Sequence, residues 1–251
     1  MLKETLINAD KLMSKIDLTT VVVYSSSTNN CCVSCHTNDD LVYVYVRNKS
    51  DGYVEKEFSL RSWDSIHSIL GTFYSPETFE KLKMNFKYND ENYPSMLEVK
   101  NGRLKMNYYL QNYSFLRNQQ QLLDEYNKKK LALKPFTDDG VEFEESLIKD
   151  ISKLSSLTNE EYFKFYVNDL GTYICFGDEN QSADNASIKI SDEQIISPNE
   201  KTKFPVNYFI NIFKSLMGNG FKIKLFSDKI IMCQEDDKFL KIGIIRGRNI
   251  L

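Results

Sequence analysis

The residues whose types and spacing come closest to a chemical motif lie at positions 31–36. Residues 32–36 have the C-x-x-C-H spacing of covalent haem attachment, and the cysteine at position 31 adds another thiol that could bind a metal. The same residues form a candidate strand, where cysteine often serves as a small buried apolar side chain. We therefore expect reduced thiols, no disulfides and no metal. A metal or haem protein that uses Cys32, Cys35 and His36 is the less favoured alternative. The other cysteines are solitary in candidate strands of their own (Cys175 and Cys233).

Nucleophilic catalysis and phosphate transfer find no support in the sequence. Histidine occurs only at His36 and His67, and there is neither a serine flanked by glycines nor a glycine-rich loop of the kind that holds phosphates. The carboxylate clusters at 138–139 and 235–237 lie where turns are expected, so divalent-ion catalysis is a minor alternative. We therefore expect a protein that is not an enzyme, with no catalytic residue and no cofactor.

The composition indicates a globular chain rather than a membrane or exported one. Its formal net charge is −3, 41% of its residues are hydrophobic, and no apolar run approaches the roughly 20 residues of a membrane span. The N-terminus leads directly into a mixed polar and apolar helix pattern, so we expect a cytoplasmic protein. A small negative net charge still permits a nucleic-acid binder whose positive charges share one surface.

The elements that would position functional side chains follow a regular order in the first half. An amphipathic helix is predicted at 2–16, because apolar residues recur every three or four positions with lysines opposite. Four β-rich stretches at 19–24, 31–35, 41–47 and 54–60 predict an antiparallel meander. A second helix at 62–73 and strands at 81–88, 96–99 and 104–110 complete this half.

The second half repeats this order. Glu4 near the start of the first helix is matched by Glu145, 141 positions later, and Phe58 is matched by Phe204, 146 positions later. The polar stretch between the halves is the natural boundary. The sequence therefore predicts an α+β fold with two similar domains, 1–112 and 141–251, each with two amphipathic helices packed on antiparallel sheets, and a connector at 113–140. In the second domain, helices are predicted at 144–157 and 207–217, and strands at 162–167, 172–176, 186–190, 194–196, 221–226, 229–233 and 239–245.

This order of elements resembles the DNA sliding clamps of the proliferating-cell-nuclear-antigen and tailed-phage type. The closest points are the first helix, the connector through Lys134-Pro135-Phe136, and the ending from Phe204-Pro205-Val206, where a helix precedes three strands. The resemblance implies a processivity factor of DNA replication that encircles duplex DNA and tethers the polymerase and other replication proteins without sequence-specific readout. It also implies a clamp loader as a partner, a head-to-tail homotrimeric ring and, for a viral or phage-like protein, the replication compartment of an infected cell. A non-ring processivity or scaffold subunit of the same fold is the alternative.

Polar and basic residues on the outer helix faces are the candidate DNA contacts. Lysines and small polar side chains, such as Ser152 and Ser156, would meet phosphates without reading base edges, which permits sliding. The second helix departs from this pattern, because Asp64 and His67 occupy its outer face with only Arg61 nearby. Simple solvation of an exposed face is the alternative interpretation. The candidates are Lys11, Lys15, Arg61, Lys149, Lys153, Asn207, Asn211 and Lys214.

The resemblance further implies a hydrophobic pocket that docks short peptides of polymerases and clamp loaders. In clamps this pocket lies beside the interdomain connector and near the C-terminus. Packed connector residues and a frayed tail are the alternative interpretation. The matching regions of this sequence contain Leu131, Leu133, Pro135, Phe136, Ile250 and Leu251.

Overall fold

The structure, a computed structural model, describes most of the chain and divides it into two compact units. The first unit takes in Met1–Asn38, Val44–Pro135 and Asp236–Lys241, and the second takes in Asp39–Tyr43, Phe136–Glu235 and Ile242–Leu251. No helix within the described part of the chain is long and apolar enough to cross a membrane. The described residues are 2–16, 18–25, 30–37, 39–50, 57–60, 62–73, 79–111, 143, 145–177, 185–197 and 201–249.

The described residues of the first unit form two α-helices and antiparallel strands. Helix α1 (Leu2–Met13) and helix α2 (Trp63–Phe73) have nearly the predicted limits. Strands β1 (Leu18–Ser25), β2 (Cys31–Thr37), β3 (Val42–Asn48) and β4 (Phe58–Leu60) lie in the order β3-β2-β1-β4. A 3-10 turn (Phe79–Lys81) precedes a second sheet, in which β5 (Lys83–Tyr88), β6 (Pro94–Asn101) and β7 (Leu104–Tyr109) pair in chain order.

Both helices of the first unit bury an apolar stripe against these strands. On α1, Leu6, Ala9 and Leu12 have no exposed surface, as their spacing predicted, and the helix packs on β2. On α2, Trp63 and Ile66 are buried, and the helix packs on β1 and β6. Sheet contacts therefore fix which side of each helix faces solvent.

Two predictions in the first unit are wrong in detail. The fourth strand does not continue a meander: β4 pairs with β1, with Val21 opposite Leu60 and Val23 opposite Phe58. A meander was expected because successive strands usually pair, but Phe58 and Leu60 are fully buried in this position beside β1. The strand predicted from residue 81 begins at Lys83, because Lys81 ends the 3-10 turn.

The described residues of the second unit also form two α-helices and two sets of strands. Helix α3 (Glu145–Thr158) is followed by β8 (Tyr162–Asn168), β9 (Gly171–Phe176), β10 (Ala186–Ser191) and β11 (Thr202–Pro205). After helix α4 (Val206–Leu216) come β12 (Phe221–Leu225), β13 (Lys229–Glu235), β14 (Phe239–Arg246) and the short β15 (Arg248–Asn249). Five strands form one sheet in the order β10-β9-β8-β11-β15. Strands β12, β13 and β14 are neighbours, in that order, in a different sheet.

The strand predicted at 194–196 is absent, and β11 takes its place in the sheet. Thr172 explains this, since its buried hydroxyl donates to the Glu193 carbonyl (2.7 Å) and accepts the Ile195 amide (3.1 Å). A side chain therefore satisfies backbone groups that a strand ladder would otherwise use. Pro205 ends β11 as the N-cap of α4, one residue before the helix rather than inside its first turn.

An aromatic core holds helix α4 of the second unit on the strands. Phe163 on β8 packs edge-on against Phe209 of α4 (centroids 5.2 Å apart) and stacks on Phe204 (5.7 Å). Helix α4 approaches β14 so closely that a Cβ atom at Gly243 would collide with Ile212. Packing on the sheet thus fixes the rotation of α4 and the direction of its polar side.

Candidate nucleic-acid interface

Helix α1 presents two of the predicted DNA contacts to solvent. Lys11 and Lys15 are both exposed, although Lys15 lies in the turn just after the helix ends. Asn8 is partly buried and donates its side-chain amide to the Glu4 carbonyl (3.0 Å). The two exposed lysines therefore lie at the C-terminal end of the helix, where they also complement the helix dipole.

Two lysines from the far end of the sequence lie near α1, one in the turn before β14 and the other buried within that strand. Lys238 lines a shallow pocket of about 240 Å³ in the first unit together with Lys11 and Ser50. Lys241 is close enough to be affected by Lys11: burial and the Lys11 ammonium lower the pKa of Lys241, against an opposing effect of Asp236. Sequence reasoning placed 235–237 in a solvated turn and missed these two lysines, because no local pattern joins that turn to α1.

The exposed face of α2 lacks the positive charge that a DNA contact needs. Asp64, His67 and Ser68 are exposed, as the helix period predicted, and none is a permanent cation.

The sequence did not reveal that Asp10 of α1 links the two helices. Its carboxylate accepts hydrogen bonds from the indole N–H of Trp63 (3.0 Å) and from His67 Nδ1 (2.9 Å). Asp10 therefore holds the helices together through one buried and one exposed partner.

Helix α3 exposes its two predicted lysines, but its serines are already engaged. Lys149 and Lys153 are exposed one turn apart, whereas Ser152 and Ser156 donate their hydroxyl protons to carbonyls four residues earlier (2.8 and 2.9 Å). The serines therefore have no proton to donate to a phosphate in this arrangement, so the attraction of the face depends on the lysines. Exposed carboxylates flank them at Glu145 and Asp150, and the second of these was not foreseen.

Helix α4 presents a narrower polar stripe than predicted. Asn207 and Lys214 are exposed and Asn211 is half-buried between them, all on one side of the helix. The opposite side buries Phe209, Ile212 and other apolar residues, as their spacing predicted. Helices α3 and α4 pack together, so their outer stripes belong to one side of the second unit.

Seven candidate residues lie outside the described residues. One is the proposed DNA contact Arg61, and the others form the proposed partner pocket. Those assignments stay predictions: Leu131, Leu133, Pro135, Phe136, Ile250 and Leu251.

The C-x-x-C-H motif is part of the mostly buried strand β2. Cys32 and Cys35 are three residues apart on β2, so their side chains point to opposite faces of the sheet. Cys32 lies 3.3 Å from the hydroxyl of Tyr45, and burial raises the pKa of the Cys35 thiol. Within the described residues, no group of three or more histidine, cysteine or carboxylate side chains is arranged to hold a metal. All five cysteines are buried, as expected for small apolar strand residues.

Comparison with known proteins identifies the fold. The sequence matches no family model and no curated protein. Its structure is similar to A. fulgidus PCNA bound to the C-terminal region of FEN-1, with a TM-score of 0.59 and 14% identity over 99% of this chain and 96% of that one. Entamoeba histolytica PCNA gives a TM-score of 0.55 at 12% identity over 98% of this chain and 94% of that one.

The H. pylori beta clamp in complex with 5-chloroisatin is also similar. Its TM-score is 0.60 at 13% identity over the whole of this chain, which spans only 64% of the beta-clamp chain. The chain therefore has the DNA sliding-clamp fold, and the predicted α+β class is confirmed, with two helices among the described residues of each unit.

Proposed function

We propose that this chain is a DNA polymerase sliding clamp that encircles duplex DNA and tethers replication proteins without sequence-specific readout and without catalysis. The observation that carries the proposal is the sliding-clamp fold over nearly the whole chain. We retain domains 1–112 and 141–251 and the connector 113–140 as part of this proposal. The protein would act in the cytoplasm or in the replication compartment of an infected cell.

The DNA contacts would come from lysines on the exposed helix faces. Lys149, Lys153 and Lys214 carry the positive charge of the second unit's helices, and Lys11 and Lys15 carry that of α1. Such lysines attract phosphates by releasing counterions, and a contact without base readout lets the protein move along the duplex. The face of α2 would contribute little, so the positive lining would be uneven.

Ring closure would use two different sheet edges. Strand β7 ends the three-stranded sheet and β10 ends the five-stranded sheet. On β7, Leu104 and Met106 are 54% and 39% exposed on one side of the strand. An edge strand offers a row of backbone groups for pairing, and pairing of two unlike edges gives a head-to-tail contact that closes into a ring. This chain spans only 64% of a beta-clamp chain. A ring of the same circumference would therefore need more copies of this chain than of the beta clamp, and we propose a trimer.

Partner docking is expected at the connector and at the C-terminal end. We expect the polymerase and the clamp loader to bind by short peptides at the connector and C-terminal residues named above. Support comes from the similar A. fulgidus PCNA, whose structure holds the C-terminal region of FEN-1.

Solution mass and primer extension test this function together. The wild type should sediment as a trimer and lengthen products on primed circular DNA with the cognate polymerase and loader. Leu104→Glu with Met106→Glu should give monomers, because charge at β7 would oppose edge pairing. Leu170→Glu, at a site 67% exposed in the β8–β9 turn, is the matched control and should remain trimeric.

Two outcomes separate the alternatives. A strict monomer that still lengthens products would favour the non-ring processivity subunit. No gain in product length with the cognate polymerase and loader would end the processivity proposal.

A further inference from the structure

The outward face of the β5-β6-β7 sheet carries an ordered array of polar side chains, which we call the lysine array. The strand registers arrange it in three rows across the sheet. The members of each row are direct cross-strand neighbours, and side chains two residues apart on one strand point the same way. The rows are Lys83-Lys100-Lys105, Asn85-Glu98-Asn107 and Lys87-Met96-Tyr109.

The first row places three ammonium groups side by side. Like charges directly opposite each other on neighbouring strands destabilise a sheet. One carboxylate offsets part of this cost: Glu98 binds Lys100 and Lys105 at 2.6 Å each. Hydrogen bonds from these two lysines lower the pKa of Glu98 to about 2, so it stays ionised at neutral pH.

The array nevertheless keeps a net positive charge at its surface. Glu98 is only 7% exposed, whereas the Lys100 and Lys105 side chains are 42% and 49% exposed. Lys83 and Lys87 are also exposed. The nine positions carry four lysines and one carboxylate, so an anionic partner would relieve repulsion that the protein itself leaves in place.

Charge is asymmetric along the strands, and an aromatic ring completes the array. Arg103 is exposed in the β6–β7 turn next to the lysine row, while the exposed Asp90 and Glu91 lie in the β5–β6 turn at the other end. Tyr109 is 62% exposed in the third row, beside Met96. A flat basic surface with an exposed aromatic ring matches the requirements of single-stranded nucleic acid, whose phosphates bind lysines and whose bases stack on aromatic faces.

We infer that the lysine array binds single-stranded DNA, as a second nucleic-acid surface separate from the helix faces. Phosphates would lie over the first row and near Lys87, and a base would stack on Tyr109. The amides of Asn85 and Asn107 can donate to or accept from base edges between them. An acidic peptide could use the same charges, but it would gain nothing from the exposed Tyr109 ring that a base stacks on.

The test measures binding of a fluorescent oligo-dT of about 15 nucleotides by anisotropy over a range of salt concentrations. Lys83→Gln with Lys87→Gln alters β5, away from the β7 edge proposed for assembly. Loss of two phosphate contacts should lower the slope of log affinity against log salt concentration by about 1.4. It should also weaken binding about tenfold at low salt. Lys222→Gln with Lys224→Gln is the control, because these two lysines also share one face of an edge strand, β12, and their loss changes the net charge equally.

A Tyr109 variant, a competing peptide and the helix-lysine variant complete the test. Tyr109→Leu should weaken oligo-dT binding about fivefold or more if a base stacks there. Absence of wild-type binding, or equal loss in the β5 and β12 variants, would overturn the proposal. A glutamate peptide of equal charge that binds through Lys83 and Lys87, while oligo-dT does not, would overturn it in favour of an acidic protein partner. Replacing Lys149, Lys153 and Lys214 should leave oligo-dT binding intact, so this inference and the clamp function can fail separately.

Discussion

The salt dependence of duplex binding reports directly on the helix lysines of the second unit. Lys149, Lys153 and Lys214 are exposed, and Asp150 is the nearest carboxylate in sequence to the first two. Each phosphate contact contributes about 0.9 to the slope of log affinity against log salt, so replacing all three with glutamine should lower that slope by about 2.7 per bound subunit. Between 50 and 200 mM salt, the wild type should then lose about 40-fold more affinity than the variant.

The assay is equilibrium anisotropy with a short labelled duplex blocked at both ends. The control replaces three strand lysines of the same unit, Lys222, Lys224 and Lys229, and makes an equal change in net charge. The control slope should match the wild type. If the helix variant and the control lower the slope equally, the helix faces are merely solvated and the assignment of DNA contacts is wrong.

Three further predictions concern stability and thiol chemistry. Asp10→Ala should lower the free energy of unfolding in urea by about 1–3 kcal/mol, because the buried Trp63 N–H loses its acceptor, and Asp10→Asn should cost less. Hydrogen bonds from Lys100 and Lys105 hold the pKa of Glu98 in the folded protein below its ordinary value of 4.5. The stability that Glu98 contributes is therefore present above pH 4.5 and is lost as the pH falls towards about 2. In acid unfolding, Glu98→Gln should lack this loss of unfolding free energy. Burial raises the pKa of Cys31 to about 11, so it and Cys35 should react with a thiol reagent at pH 8 only on unfolding, and fast reaction of the native protein would contradict their burial.

Local periodicity accounts for what the sequence predicted well. The helices were found because apolar residues recur at helical spacing, and the buried sides of α1 and α4 contain the expected residues, such as Leu12 and Phe209. The exposure of Lys11, Lys149 and Lys214 follows from the same pattern. The buried cysteines were also foreseen, because side chains alternate between the faces of a strand.

Contacts between distant segments account for what was missed. The pairing of β4 with β1 depends on residues nearly 40 positions apart, and the link from Asp10 to Trp63 joins residues 53 positions apart. Lys238 reaches the pocket beside α1 from the other end of the chain. The hydroxyl of Ser152 was counted as free for phosphate, but a carbonyl one helical turn earlier takes its proton.

Retention on circular DNA is the most direct test of encirclement. The protein would be loaded on nicked circular duplex, washed in high salt, and followed after the circle is cut at one site. A ring should stay on the intact circle in high salt and leave by the free ends once the DNA is linear. Release from the intact circle by salt alone, at the same rate as from linear DNA, would contradict encirclement.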